Sequence, residues 1–169
     1  VYKYNNIVYK LFRRFFLDKK VERYDVKGKK YISTPSKYYF ANIGLRNARL
    51  NFRQQEEDHI MENIIYNELL YRGYNVDVGI VEIREKNIRK QTEVDFICNQ
   101  ADKRYYIQVA LSLPTREKTL QEERPLMNIN DNFKKIIIVK DGKKSWTTEE
   151  GILIIGLQEF LLNKDSLYL

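Results

Sequence analysis

Two neighbouring apolar runs of this chain carry polar side chains at points where buried strands seldom have them. Residues 93–98 read Glu-Val-Asp-Phe-Ile-Cys, residues 105–111 read Tyr-Tyr-Ile-Gln-Val-Ala-Leu, and a polar turn over residues 99–104 separates them. This pattern predicts a β-hairpin whose two strands lie inside a sheet. Because buried strands rarely carry such groups without a reason, Asp95 and Gln108 suggest a functional site. Their oxygen atoms are of the kind that Mg²⁺ prefers as ligands.

The same residues also admit a structural interpretation. Asp95 could hydrogen-bond an adjacent loop and Gln108 could satisfy a strand edge, since buried polar groups are usually hydrogen-bonded. His59 is the sole histidine and has no Cys or His companions, so a zinc site is not expected. Cys98 lies in an apolar run and is expected to be a small buried residue rather than a nucleophile.

Around these strands, the apolar spacing from residue 54 onward alternates between helical and extended patterns. It predicts helices at about 56–71, 115–127 and 157–162, and Arg72-Gly73 ends the first of them. Strands are predicted at 75–84, 93–98, 105–111, 134–139 and 152–155, with a polar loop at 85–92. An antiparallel meander followed by a crossover helix and a parallel strand predicts a mixed α/β sheet, three layers thick.

The first part of the chain shows a different organisation. Apolar residues at 7, 8, 11, 12, 15 and 16 predict a helix over residues 3–17. Residues 21–26 and 30–32 then read as a hairpin with a turn at Gly28, and residues 34–36 as a break. A helix followed by a basic hairpin is typical of the end of a winged helix. We therefore expect one segment over residues 1–35 and a second domain over residues 36–169.

Positive charge is concentrated in the same region. The net charge is +7. Residues 1–53 hold 14 Lys and Arg against three Asp and Glu, whereas the remainder holds 16 against 20. Basic residues interleaved with tyrosines are typical of surfaces that face nucleic acid, and a solvated face or a docking surface for an acidic partner is the alternative. The candidate nucleic-acid-binding residues are Arg13, Arg14, Lys27, Lys29, Lys30, Arg46 and Arg49.

Several classes of protein are not expected. No apolar run approaches the about 18–20 residues that span a bilayer. The single cysteine permits no internal disulfide, which fits a reducing, cytoplasmic setting. The chain does not begin with Met and reads as a fragment of something longer. It also lacks the Gly-x-x-x-x-Gly-Lys-Ser/Thr run of phosphate-binding loops, so we expect no ATP site in it.

Six phrases of the sequence resemble one family of domains. It is the domain of unknown function at the C-terminus of prokaryotic AAA-type ATPases, which is a PD-(D/E)XK, or restriction-endonuclease-like, family. The phrases are Lys37–Phe40, Gly44–Arg49, Met61–Leu70, Arg72–Tyr74, Glu93–Ile97 and Ile107–Ala110. The resemblance implies an αβββαβ core preceded by a partial winged helix. It also implies an ATPase module in the parent protein, which would be the expected partner of this domain.

By the same resemblance, the catalytic positions are Glu62, Asp95 and Gln108. A Mg²⁺ ion would be held by Asp95, Gln108 and the carbonyl of Val109, with Glu62 as a further ligand. Two departures stand against catalysis, because Gln108 is neutral and Ala110 stands where the superfamily has a lysine. Lys118 or Arg116, on the following helix, could replace that lysine.

The departures favour a degenerate site. We expect an accessory domain of an ATPase that binds nucleic acid, with DNA as the candidate, or a partner protein. An active Mg²⁺-dependent DNase is the first alternative. A domain that docks on its own ATPase module or a cognate protein, without nucleic acid, is the second.

Overall fold

An eight-stranded sheet and four helices make up residues 18–53, 56–85, 88–142 and 144–169, which a computed structural model describes. In chain order the elements are β1 (Asp18–Asp25), β2 (Lys30–Phe40), α1 (Ile43–Arg49), α2 (Glu57–Tyr71), β3 (Asn75–Glu85), β4 (Ile88–Gln100), β5 (Lys103–Ala110), α3 (Arg116–Met127), β6 (Lys134–Val139), β7 (Trp146–Thr147), β8 (Leu153–Gly156) and α4 (Leu157–Leu162), followed by a 3₁₀ turn at Ser166–Tyr168. Among these residues, no helix is long and apolar enough to cross a membrane.

The sheet is mixed, with the strand order β2-β1-β3-β4-β5-β6-β8-β7. Strands β3, β4 and β5 form an antiparallel meander, and β6 then pairs in parallel with β5 after the crossover through α3. Strand β8 continues in parallel with β6. The predicted mixed α/β sheet and its element order are therefore confirmed.

Two apolar clusters cover the two faces of this sheet. One includes Ile65 and Leu69 of α2, together with Phe160 of α4, and the other includes Leu126 of α3. Alternate residues of β6 belong to opposite clusters, with Ile136 and Ile138 in the first and Ile137 and Val139 in the second. Since both faces of β6 are buried, its wholly apolar sequence is explained, and the three-layer prediction is confirmed.

Local signals determine the ends of the two longer helices as predicted. After α2, Gly73 has a φ of +85° and its N–H bonds the Leu70 carbonyl, while the N–H of Tyr74 bonds the Leu69 carbonyl. This is a Schellman motif, for which glycine is favoured. The Thr115 hydroxyl accepts a hydrogen bond from the N–H of Lys118 and caps α3.

One local prediction was wrong, and two elements were not predicted. Helix α1 begins after Asn42, whose side chain accepts from the N–H of Leu45. No residue of α1 is buried, so it has no apolar stripe that a periodicity argument could find. The polar loop predicted at 85–92 is mostly strand, because β4 begins at Ile88 and pairs with β3 as far as Glu85. Trp146 lies in the short edge strand β7.

The basic hairpin lies in the central sheet rather than beside it. Strand β1 pairs antiparallel with β2 and parallel with β3, so the sheet extends across the expected boundary at residues 35 and 36. The break predicted at 34–36 is an irregularity inside β2, where Val21 pairs with Lys37 but Arg23 pairs with Ile32. The helix predicted over residues 3–17 lies outside the described residues.

Candidate functional site

Strands β4 and β5 separate at Asp95, and we call the gap between them the fork. Pairing between β4 and β5 ends at Phe96 and Ile107, although β5 continues to Ala110 alongside β6. On its other side, β4 carries an extra residue between Val94 and Ile97 relative to β3. Such β-bulges redirect side chains and are frequent next to functional sites. Here the bulge places the Asp95 carboxylate in the fork, where its Oδ2 accepts a 2.8 Å hydrogen bond from the N–H of Val109.

Helix α2 brings Glu62 to the same place. The helix is anchored on the end of β2 by the buried Asn63, whose side chain accepts from the N–H of Phe40 and donates to its carbonyl. Glu62, one residue earlier, is 12% exposed and accepts a hydrogen bond from the hydroxyl of Tyr39. The ring of Tyr39 stacks on Tyr66 with a centroid distance of 4.3 Å. Packing between β2 and α2 therefore determines where the Glu62 carboxylate lies.

Lys37 lies at the centre of this cluster. Its Nζ is 2.7 Å from Glu62 Oε1, 2.5 Å from Glu93 Oε1 and 3.9 Å from Asp95 Oδ1. The other oxygen of Glu93 lies 2.8 Å from the guanidinium of Arg23 on β1. We call Lys37, Glu62, Glu93 and Asp95 the carboxylate cluster.

Sequence reasoning missed Lys37 and Glu93. The signal for Lys37 was its position two residues before Tyr39, because alternate residues of a strand share one face. That signal required knowing that Tyr39 faces α2. The signal for Glu93 was likewise an alternate position, two residues before Asp95.

The cluster alters the protonation of its members. Burial alone would lower the pKa of Lys37, but the neighbouring Glu62, Glu93 and Asp95 raise it above its ordinary value. Burial, and then Glu62, raise the pKa of Tyr39, which keeps the hydroxyl protonated as a donor. Burial and the Glu62 charge raise the pKa of Asp95 to about 8, although Lys37 and the N–H of Val109 oppose this shift. A carboxyl group with so high a pKa in a cleft is typical of functional sites.

Gln108 lies apart from these residues. Its neighbours Tyr106 and Ala110 belong to the apolar cluster under α3, and its Nε2 lies 3.5 Å from Glu122 Oε2 on α3. The Oε1 atom of Gln108 is buried without a hydrogen-bond partner. The structure thus brings Glu62 and Asp95 together, whereas the side chain of Gln108 is directed to the opposite face of the sheet.

The two cations of α3 that could replace the superfamily lysine are not at the fork. Ala110 is 5% exposed and packs in the cluster under α3. Lys118 lies 2.5 Å from Glu122, and Arg116 lies 3.7 Å from the exposed Glu149. The cation that reaches Asp95 is Lys37, from β2.

The carboxylates do not form a ready-made metal site while the Lys37 ammonium lies among them. In the described part of the chain, Glu56, Asp58 and His59 are the only three side chains of metal-ligating type whose ligand atoms all lie within 4.8 Å of one another. They are exposed, at the beginning of α2, and exposed acidic groups often lie together without a metal. The oxygens of Glu62, Glu93 and Asp95 surround an ammonium group instead.

The candidate nucleic-acid-binding residues fall into separate groups. Arg46 of α1 lines a cleft of about 190 Å³ beside the carboxylate cluster, and Arg49 follows on the same helix. Lys27 and Lys29, on the turn before Lys30, line a larger cleft of about 610 Å³ between the β1–β2 turn and the end of α3. The remaining two, Arg13 and Arg14, lie outside the described residues.

Comparison with known proteins assigns the chain to a family. Residues 57–160 match the family described as a domain of unknown function, DUF4143. The chain belongs to this family. An uncharacterized protein of Haemophilus influenzae is 37% identical over 153 residues, which are 90% of this chain and 35% of that protein. The chain therefore spans about a third of the length of the curated relative that it matches. No solved structure shows significant similarity to it.

The part matched to DUF4143 contains only some of the site. It includes Glu62, Glu93, Asp95 and Gln108, whereas β2, with Lys37 and Tyr39, precedes it. The similarity to the Haemophilus influenzae protein is longer than the DUF4143 match by about a third of the chain. Lys37 therefore lies before the segment matched to DUF4143, whereas Glu62, Glu93 and Asp95 lie within it.

Proposed function

We propose that this chain is a restriction-endonuclease-like accessory domain of a AAA-type ATPase, and that it binds nucleic acid without cleaving it. The order α2-β3-β4-β5-α3-β6, with a forked sheet and an acidic side chain in the fork, supports the nuclease-like assignment. The length of the Haemophilus influenzae relative leaves room for a further module, as the ATPase hypothesis requires.

The observation that carries the binding function is the lining of the smaller cleft. Arg46 and the 41% exposed Tyr38 line it, together with Lys37, Tyr39, His59, Glu62 and Asn63. The Arg46 guanidinium can bind a phosphate, and the Tyr38 ring can stack on a base. This cleft adjoins the fork, which is where a nuclease-like fold would present the phosphate backbone to its acidic residues.

Cleavage lacks one of its usual groups. Ala110 is buried at the position of the superfamily lysine, and the Lys37 ammonium is held by Glu62 and Glu93. A group that activates water typically contributes about 100- to 10,000-fold to the rate. We therefore expect binding with no cleavage above the background of a buffer control.

The experiment measures binding and cleavage in the same samples. Fluorescence anisotropy with labelled single- and double-stranded DNA and RNA gives the affinity at several salt concentrations. Gels run after incubation with Mg²⁺ or Mn²⁺ detect products. We expect an affinity that falls steeply with salt and intact oligonucleotides. Cleavage that disappears in an Asp95→Ala variant would instead establish the DNase alternative, and undetectable binding at low salt would refute the proposal.

The lysines of the β1–β2 turn test the sequence-predicted interface separately. Lys27, Lys29 and Lys30 are exposed. Replacing all three with Gln should weaken binding and reduce the slope of log affinity against log salt by about one for each phosphate that is no longer neutralised. The matched control is Lys164→Gln, an exposed lysine in the acidic remainder of the chain. Equal slopes for the triple variant and the wild type would exclude the turn from the interface.

Arg46→Gln tests the cleft in the same assay. Because Arg46 lines the cleft beside Lys37, its loss should weaken binding even where the turn lysines are intact. If only the turn variant loses affinity, nucleic acid binds at the larger cleft between the β1–β2 turn and the end of α3 instead.

A further inference from the structure

Every carboxylate of the carboxylate cluster is already neutralised or hydrogen-bonded by the protein itself. Glu62 accepts from Tyr39 and pairs with Lys37, Glu93 pairs with Lys37 and Arg23, and Asp95 accepts from the N–H of Val109. Partly buried carboxylates commonly need a cation, and metal ions often serve. Here a lysine serves in that role.

The distances are those of an ammonium ion. Lys37 Nζ lies 2.7 Å from Glu62 and 2.5 Å from Glu93, whereas Mg²⁺ binds oxygens at about 2.1 Å in a near-ideal octahedron. Asp95, at 3.9 Å, is too far for either geometry without a shift. The cluster is therefore built around Lys37 in its present arrangement.

The charges lead to the same conclusion. Lys37 and Arg23 balance the charges of Glu62 and Glu93. Without Lys37 one of these charges would be uncompensated, and a divalent cation could replace the lost ammonium. The interaction energy of two charges varies inversely with their distance and is larger where the dielectric constant is low, as in a partly buried site. Loss of the Lys37 ammonium, which lies less than 3 Å from both Glu62 and Glu93, therefore greatly changes the electrostatic energy of the cluster.

We propose that Lys37 is a built-in counter-ion that takes the place of a divalent cation, so that its ammonium group and a metal ion compete for the oxygens of Glu62, Glu93 and Asp95. The inference goes beyond the proposed function, because it concerns this cluster alone and requires no nucleic acid. It makes Lys37 the residue that keeps metal out.

The test is a gain of metal binding on removal of the lysine. Binding of Mn²⁺ to the wild type, Lys37→Met and Lys20→Met is measured by the loss of the free-ion signal in electron paramagnetic resonance. Lys20 is an exposed lysine on β1 and is the matched control. Lys37→Met should bind Mn²⁺ at least about tenfold more tightly than either other protein. The double variant Lys37→Met/Asp95→Asn should lose this gain.

Thermal unfolding gives a second readout. Lys37→Met leaves partly buried carboxylates without their cation, so it should unfold at a lower temperature than the wild type in metal-free buffer. Mn²⁺ should restore much of this loss in Lys37→Met and leave the wild type unchanged, because a ligand stabilises only the protein that binds it. Lys37→Arg retains a cation and should resemble the wild type in both measurements.

Two results would overturn the inference. One is equal Mn²⁺ affinity for Lys37→Met and Lys20→Met. The other is tight Mn²⁺ binding by the wild type. If Lys37→Met does not fold, the lysine ammonium signal of the wild type can be followed by nitrogen NMR during addition of Mg²⁺. An unmoved Lys37 signal at millimolar Mg²⁺ supports the inference, and a displaced one contradicts it.

Discussion

Replacing Gly156 with alanine is expected to lower the free energy of unfolding by about 3 kcal/mol, because β8 would have to move away from the chain that follows β6. A Cβ at Gly156 would overlap the carbonyl oxygen of Gly142, and a Cβ at Gly142 would lie 2.8 Å from the Cα of Gly156. These are backbone atoms, which cannot rotate aside as a side chain can. Gly156 also pairs with Val139 and precedes α4, so the shift would extend to the buried Phe160.

Urea unfolding at neutral pH measures this effect. The matched control is Gly151→Ala, since a Cβ at Gly151 meets no atom within 4 Å. Gly151 has a φ of +79°, so its replacement costs only the strain of a left-handed conformation, about 1–2 kcal/mol. Similar losses in the two variants would show that the approach of Gly142 and Gly156 is unimportant for stability.

The fold was largely predictable because its central elements are marked by local signals. The apolar run Ile136–Val139 and the glycine after Arg72 are signals that act within a few residues. The pairing of β1 with β3 is different, since it joins Tyr24 to Gly79 across a distance in sequence that no local pattern encodes. For the same reason, the hairpin was expected in a segment of its own.

The candidate site was predictable only in its acids. Asp95 and Glu62 stand out because carboxylates next to apolar residues are unusual. Lys37 does not stand out, since a lysine on a strand is ordinarily a solvated residue. Its role depends on the packing of β2 on α2, and the separation of Asp95 from Gln108 depends on the bulge and fork around Asp95. Both are tertiary properties.

Replacing Asp95 with asparagine is expected to stabilise the metal-free protein, and to do so more at higher pH. The pKa of Asp95 is raised to about 8 in the folded protein, chiefly by burial, from an ordinary value near 3.8. The folded state therefore retains a proton that the unfolded state has lost between these two values. Because the folded state binds more protons there, the stability of the wild type falls as the pH rises from about 4 to about 8.

Asparagine removes this dependence without removing the main contact. Its side-chain oxygen can still accept from the N–H of Val109, and Lys37 remains held by Glu62 and Glu93. We expect the stability of Asp95→Asn relative to the wild type to increase by about 4 kcal/mol between pH 5 and pH 8, since each pH unit between the two pKa values contributes about 1.4 kcal/mol. Subtracting the wild type at each pH cancels the titration of the other groups.

Urea unfolding at pH 5 and pH 8, in buffer with a chelator, measures this difference. Asp102→Asn is the matched control, because it removes the same group from the exposed β4–β5 turn and should leave the difference constant. If the difference in free energy of unfolding between Asp95→Asn and the wild type is also the same at both pH values, the Asp95 carboxylate is fully solvated in the folded protein. An increasing difference would mean that the fold holds an acidic group at a cost in stability. Sites adapted for binding commonly do so, because the arrangement that recognises a ligand is seldom the most stable one.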